Sequence, residues 1–192
     1  LAFILIFFGI IFGDGGYGLL ICAVASIPII KSLITQKQIS PMFLLVGLFG
    51  LSTVLWGTLT CTWFGLSPEQ LPEWLKSLSV PVISNVYADK IWHPFWTNGT
   101  AGLTTAQNLQ ILCFVFALVQ LTVAHIKCAV RNRKSLKVIG DIGSAIELIG
   151  MFYLVLSFVV NGEVFSFSLV IGGIPVGTIA ITFVAIGFVL SF

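Results

Sequence analysis

Charge is what this sequence has least of. Asp, Glu, Lys and Arg make up 8% of its 192 residues, against roughly 25% in soluble domains. So few charges cannot solvate a surface around a core, which excludes a soluble globular domain. With 58% hydrophobic residues and a mean hydropathy of +1.11, the surface has to face lipid. Cysteine is scarce too. Cys22, Cys61, Cys113 and Cys128 have no metal-ligand spacing and sit in or beside apolar runs as small apolar fillers, which argues against a disulfide framework or a metal site. A phosphate-binding glycine loop followed by Lys is missing, as is a Ser-His-Asp set in a plausible context. No catalytic residue, cofactor or nucleic-acid partner is therefore expected. The first apolar run, Leu1 to Gly13, carries no charge and so lacks the basic start of a signal peptide. It opens without Met in mid-run, and the chain closes at Phe192 inside another run; the sequence reads as a fragment.

What is present is apolar length. Crossing ~30 Å of hydrocarbon takes about 20 mainly apolar residues as a helix. Pro41–Leu66, Leu109–Lys127, Val138–Val160 and Phe167–Phe192 each meet that. A fifth stretch, Leu1–Leu33, is too long for one crossing at 1.5 Å per residue. Its middle reads Gly13-Asp14-Gly15-Gly16-Tyr17-Gly18. Glycine costs about 1 kcal/mol relative to Ala in a helix interior and turns readily. The expectation is a helical hairpin here, and with it an all-α polytopic transmembrane bundle of six helices in one domain, 1–192. The helices fall at about 1–12, 17–33, 41–66, 109–127, 138–160 and 167–192, with an outer loop at 67–107.

Basic residues set the orientation, because short cytoplasmic loops are enriched in them. The connections 31–40 (Lys31, Lys37) and 127–137 (Lys127, Arg131, Arg133, Lys134, Lys137) hold seven of the nine basic residues and no acid. These two loops are expected in the cytoplasm. The loop 67–107 mixes Lys76 and Lys90 with Glu69, Glu73 and Asp89, and carries Trp74, Trp92 and Trp96 among four prolines. It reads as an interfacial cap on the outer side.

A charge at a helix centre costs at least ~2.5 kcal/mol in lipid, so the intramembrane acids are the candidates for an ion path. Asp14 is one; a cap on the helix that follows it is the simpler role, its side chain accepting free backbone N–H groups. Glu147 is the other. Gly143, Glu147 and Gly150 share a helical face, which aims this carboxylate at a neighbouring helix along a small-residue seam, in either an ion path or a buried hydrogen bond. His125 and Asp141 lie near helix ends, where His125 reads as interfacial. The segment around Gly47, Gly50, Ser52, Thr53, Gly57, Thr58, Thr60 and Gly65 is small and hydroxylated, as expected of a central helix with interhelical hydrogen bonds.

At Phe7-Phe8-Gly9-Ile10-Ile11-Phe12-Gly13-Asp14-Gly15-Gly16-Tyr17-Gly18 the chain resembles the Phe-Gly-Asp-x-Gly-(His/Tyr)-Gly signature of the membrane stator of V/A-type rotary ATPases, the subunit a or subunit I family. Tyr17 is similar to the prokaryotic branch. Gly50-Leu51-Ser52 through Trp56-Gly57 to Trp63-Phe64-Gly65 resembles the family's second motif, departing from it at Cys61, where Gly is expected; that departure should loosen the packing slightly. The resemblance implies a non-catalytic, ion-translocating subunit without an ATP site. Its surroundings would be lipid, a rotor ring of proteolipid subunits and a peripheral stalk, in a prokaryotic plasma membrane. It implies eight membrane helices, six of them here, with the essential arginines on the last two. Gly13, Asp14, Gly15, Gly16, Gly18, Gly57 and Gly65 carry over as a structural signature. The alternative reading is a secondary transporter whose first helix is discontinuous, with Gly172-Gly173-Ile174-Pro175 as the only partner break.

Overall fold

The structure is a computed structural model and describes residues 1–36 and 38–191; Lys37 of the first basic connection and Phe192 of the last apolar run lie outside the described residues. The fold is all-α, a set of membrane helices with one two-residue-strand hairpin as its only sheet among the described residues. Four helices are long and apolar enough to cross a membrane: Gly15–Ile34, Pro41–Thr60, Thr105–Arg131 and Lys137–Val160. The chain divides into two compact units, Leu1–Lys90 and Ile91–Phe192.

In the first unit, α1 (Ala2–Phe12) stops at Gly13, α2 (Gly15–Ile34) restarts at once, and α3 (Pro41–Thr60) begins with Pro at its first turn, where the missing N–H costs nothing. The break expected in the first apolar stretch is thus a complete helix stop. Both α1 and α2 lie on α3. α1 meets it at Gly9, whose missing Cβ leaves room for the Ser52 backbone. α2 runs back along it, Gly18 against Val54 and Gly50, then Ala25 against Gly47. In lipid no hydrophobic force joins helices, so such close backbone approach supplies the attraction through dispersion. The hydroxyl-rich face of α3 behaves differently from the expectation of interhelical bonding. Ser52 donates across to the Leu5 carbonyl at 2.6 Å, but Thr53, Thr58 and Thr60 donate to the carbonyls of Phe49, Val54 and Trp56 in their own helix. A threonine hydroxyl four residues beyond a helical carbonyl can always reach it, so no neighbour is needed.

α3 also ends six residues before Leu66, at Thr60, where Cys61 turns left-handed with φ 56°. The chain beyond folds back on that end. Leu71 and Leu75, the latter on the short α4 (Glu73–Ser77), bury themselves against Cys61, and the Val80 N–H donates to the Leu59 carbonyl at 2.9 Å.

In the second unit, α5 (Thr105–Arg131) starts with a reciprocal capping box, Thr104 and Gln107 each accepting from the other's backbone. α6 (Lys137–Val155) runs on through a π-helical turn, Leu156–Val160. Leu103, Leu156, Val160, Val164 and Phe165 form the buried cluster at this end. The last apolar run departs from the sequence expectation. Residues 167–175 are not helical: β1 (Val170–Ile171) and β2 (Ile174–Pro175) pair antiparallel around Gly172 and Gly173, and α7 (Val176–Ser191) is the helical remainder. Both glycines have positive φ, 62° and 87°, the geometry of a two-residue hairpin turn. Periodicity of apolar residues could not distinguish this from helix because every residue around the turn is apolar. The same hairpin removes the partner break on which a discontinuous-helix transporter would depend.

The glycine contacts differ in tightness, which fixes an expected pair of outcomes. A Cβ on Gly57 would overlap the Gly15 backbone, whereas one on Gly47 would sit 3.7 Å from the Ala25 Cβ, an ordinary contact. Gly57→Ala should therefore cost about 1–3 kcal/mol by overpacking, and Gly47→Ala should be neutral or slightly stabilising through helix propensity. Thermal unfolding of the two variants in detergent checks this; equal midpoints would contradict the tight α2–α3 contact.

Candidate functional site

The break between α1 and α2 is the most highly organised polar site in the first unit. Gly13 closes α1 in the left-handed conformation, φ 59°, and Asp14 follows in an extended one. That places the Asp14 side chain over the first turn of α2, whose N–H groups have no intrahelical acceptor. Asp14 Oδ1 accepts from Gly16 N at 2.8 Å and Tyr17 N at 3.2 Å. The same oxygen accepts from Phe64 N at 3.0 Å, and Oδ2 accepts from Gly65 N at 3.2 Å. One carboxylate, 7% exposed, thus takes four backbone donors, two from its own helix and two from a segment fifty residues away.

Around it the backbone closes a second ring of bonds. Gly15 N donates to the Thr62 carbonyl and Thr62 N to the Gly57 carbonyl, both at 2.9 Å. The glycines are needed because the approach is close: a Cβ on Gly15 would strike the Trp63 ring and one on Gly16 the Phe64 ring. Tyr17 meets the Phe64 ring edge-on, centroids 5.8 Å apart. Gly65 has open space around it but φ 68°, so its backbone, not its size, is what presents the N–H to Asp14. The two sequence motifs, read separately along the chain, are two halves of one clasp. Phe64 N and the Thr62 carbonyl were not foreseeable as its members, since main-chain donors leave no trace in residue type.

Cys61 corrects an expectation. It does not loosen the junction: it is 1% exposed and packed with Leu71 and Leu75. Its left-handed backbone explains why Gly would suit the position, at a cost of roughly 1–2 kcal/mol for any other residue. Burial pushes its thiol pKa up, with Lys76 pulling partly the other way.

In the second unit the seam of α6 faces α7, as the spacing predicts. Gly143 meets Leu190 and Gly187, Gly150 meets Ala180 and Val184, and the missing Cβ of Gly187 makes room for the backbone and Cβ of Glu147. Glu147 is half-buried. Asp141 accepts from the Asn132 side chain at 3.0 Å, and it lines a cavity between α5 and α6 together with His125.

The sequence aligns along all 192 residues, at 32% identity, with V-type ATP synthase subunit I 1 of Treponema pallidum (strain Nichols), covering 27% of that protein. The chain belongs to the V-type ATP synthase subunit I family. A second relative, V-type ATP synthase subunit I of Borreliella burgdorferi, is 25% identical over 185 residues, 95% of this chain and 28% of its own length. The chain thus spans about a quarter of the length of these curated relatives. No family profile matches it, and no solved structure does. Membership of the subunit I family and the four apolar helices make it an integral membrane protein.

Two outcomes test the clasp. Asp14→Ala strands four backbone donors, at ~1–3 kcal/mol for each one that stays buried; it should lower the unfolding midpoint sharply and open residues 61–66 to protease, with Asp14→Asn falling between it and the parent. Cys61 should resist maleimide at neutral pH until the protein unfolds, because the thiol is both buried and disfavoured as thiolate. Rapid labelling of the folded protein would contradict its place in the cluster.

Proposed function

We propose that this chain is part of the static membrane subunit of a V/A-type rotary ATPase, supporting translocation of H⁺ or Na⁺ coupled to ATP hydrolysis or synthesis. The observation that carries the reading is the alignment of the whole chain with part of subunit I, supported by the convergence of both signature motifs on the Asp14 clasp. The subunit works against a rotor ring of proteolipid subunits, is held by peripheral-stalk subunits, and lies in a prokaryotic plasma membrane. The basic connections 31–40 and 127–137 face the cytoplasm, following the positive-inside rule, and residues 67–107 cap the outer side. Residues 1–192 act as one transmembrane domain in the assembled machine. An ion crossing in this way releases ~2.3 kcal/mol per charge per 100 mV, and the stator has to resist the resulting torque. A clasp fixing α1 and α2 to the end of α3 suits that mechanical load.

Within this reading the two candidate carboxylates divide. Asp14 has all its visible bonding directed at backbone, so it is a structural cap. Glu147, with no hydrogen bond to it among the described residues and seated at a helix contact, is the ion-path candidate. In the complete complex, Glu147→Gln should leave assembly intact and lower ion transport per complex, while Asp14→Ala should lower the amount assembled and leave transport per complex unchanged. Affinity purification through a tag on the complete subunit, followed by ATP-driven ion uptake into vesicles, reads both quantities. If the tagged subunit copurifies with no proteolipid ring, and its deletion leaves ATP-driven uptake intact, the proposal fails.

A further inference from the structure

The second unit contains an apolar cleft and a cluster of cations that no part of the rotary reading uses. Two cavities lie one above the other along the same helix pair, α5 and α6. One of about 130 Å³ is walled by residues such as Phe114, Leu121, Met151 and Val155. The other, about 190 Å³, runs on past Ile126, Ala129, Ala145 and Ile149 to His125 and Asp141. From Val155 to Asp141 the cleft is about 20 Å long at 1.5 Å per residue, more than the ~15 Å of hydrocarbon in one leaflet. Leu121, Ile126, Ile142, Ile149 and Met151 along it are exposed, so it is open to the side. Nothing in an 18-residue window of α5 is buried.

At one end of this cleft, and only there, the chain places cations. Lys127, Arg131, Arg133, Lys134 and Lys137 are all exposed, on the last turn of α5, the connection, and the first residue of α6. Ala129 and Asp141 of the cleft are within about two helical turns of them. Among the described residues none of the five forms an ion pair, the single salt bridge being Lys76–Glu73. The nearest acid, Asp141, lies inside the mouth and is engaged by Asn132 at 3.0 Å. An apolar slot of acyl-chain length that ends in unpaired cations has the chemistry of an anionic phospholipid: tail against α5 and α6, phosphate among the arginines and lysines.

We infer that the α5–α6 cleft is a binding site for one anionic phospholipid, whose headgroup is held by the basic connection 127–137. The inference rests on membrane embedding and not on the rotary assignment, so the two can fail separately. Its charge pattern alone would be met by diffuse attraction to an anionic surface; the cleft is what makes it a site.

The test uses the complete subunit, reconstituted in phosphatidylcholine nanodiscs doped with phosphatidylglycerol, then extracted into detergent and assayed by mass spectrometry for retained lipid. The parent protein should keep phosphatidylglycerol in preference to phosphatidylcholine. Replacing Arg131, Arg133 and Lys134 together by Gln should reduce that retention about tenfold. Ala145→Phe and Ala129→Leu, which fill the cleft from opposite walls and leave every charge in place, should reduce it to a similar extent. Thermal unfolding midpoints identify any variant that has lost its fold, and the surface charge variant supplies an independent arm. Two results overturn the inference. In one, the charge variant loses lipid while both fillers retain it, which means diffuse attraction. In the other, the parent retains no phosphatidylglycerol, which means that another part of the subunit occupies the cleft.

Discussion

Four backbone N–H groups share one carboxylate at the stop between α1 and α2, and the first unit depends on that sharing. Stopping a helix inside an apolar region leaves donors that water cannot satisfy. Left bare and buried, each would cost ~1–3 kcal/mol. Asp14 satisfies donors from the first turn of α2 and, at the same time, the N–H groups of Phe64 and Gly65 in the segment just beyond α3. The chain can therefore reverse at Gly13 and end α3 at Thr60 in the same place.

The packing follows from that constraint. With α2 held against the end of α3, Gly15 and Gly57 have to touch backbone to backbone, and Gly18 and Gly50 continue the contact one and two turns further on. Small residues here are a consequence of the distance the clasp imposes. The second unit reaches a similar closeness between α6 and α7 through Gly143, Gly150 and Gly187, and does so without a buried carboxylate at a helix stop. Side-chain hydrogen bonds lie instead near the two ends of its helices, at Thr104 and Gln107, at Asn161, and at Asn132 with Asp141.

Hydroxyls and charges thus serve different purposes in the two units. Thr53 and Thr58 satisfy themselves within α3, so they add small volume without directing a partner, while Thr60 also reaches the Thr62 hydroxyl beyond the helix end. Cys61 illustrates the opposite balance. It accepts a left-handed backbone that Gly would adopt freely, and in return its side chain seals Leu71 and Leu75 against the helix end. The two motifs that resemble the subunit I signature meet at this one junction.

Much of the fold was legible in the residues. Scarce charge and long apolar runs determined a membrane protein of α-helices, because backbone groups in lipid must be satisfied within the segment. Gly13 to Gly18 marked the helix stop, and the three-and-four spacing of Gly143, Glu147 and Gly150 marked a contact face. What residue types could not carry was any interaction made by the main chain. The N–H groups of Phe64 and Gly65, the early end of α3 and the turn at Gly172-Gly173 were decided by where the backbone arrives in three dimensions. Apolar runs look alike whether they turn or continue, and a peptide donor is the same in every residue except proline. The sequence by itself therefore determined which segments leave water; only the tertiary structure decided which backbone groups those segments would share.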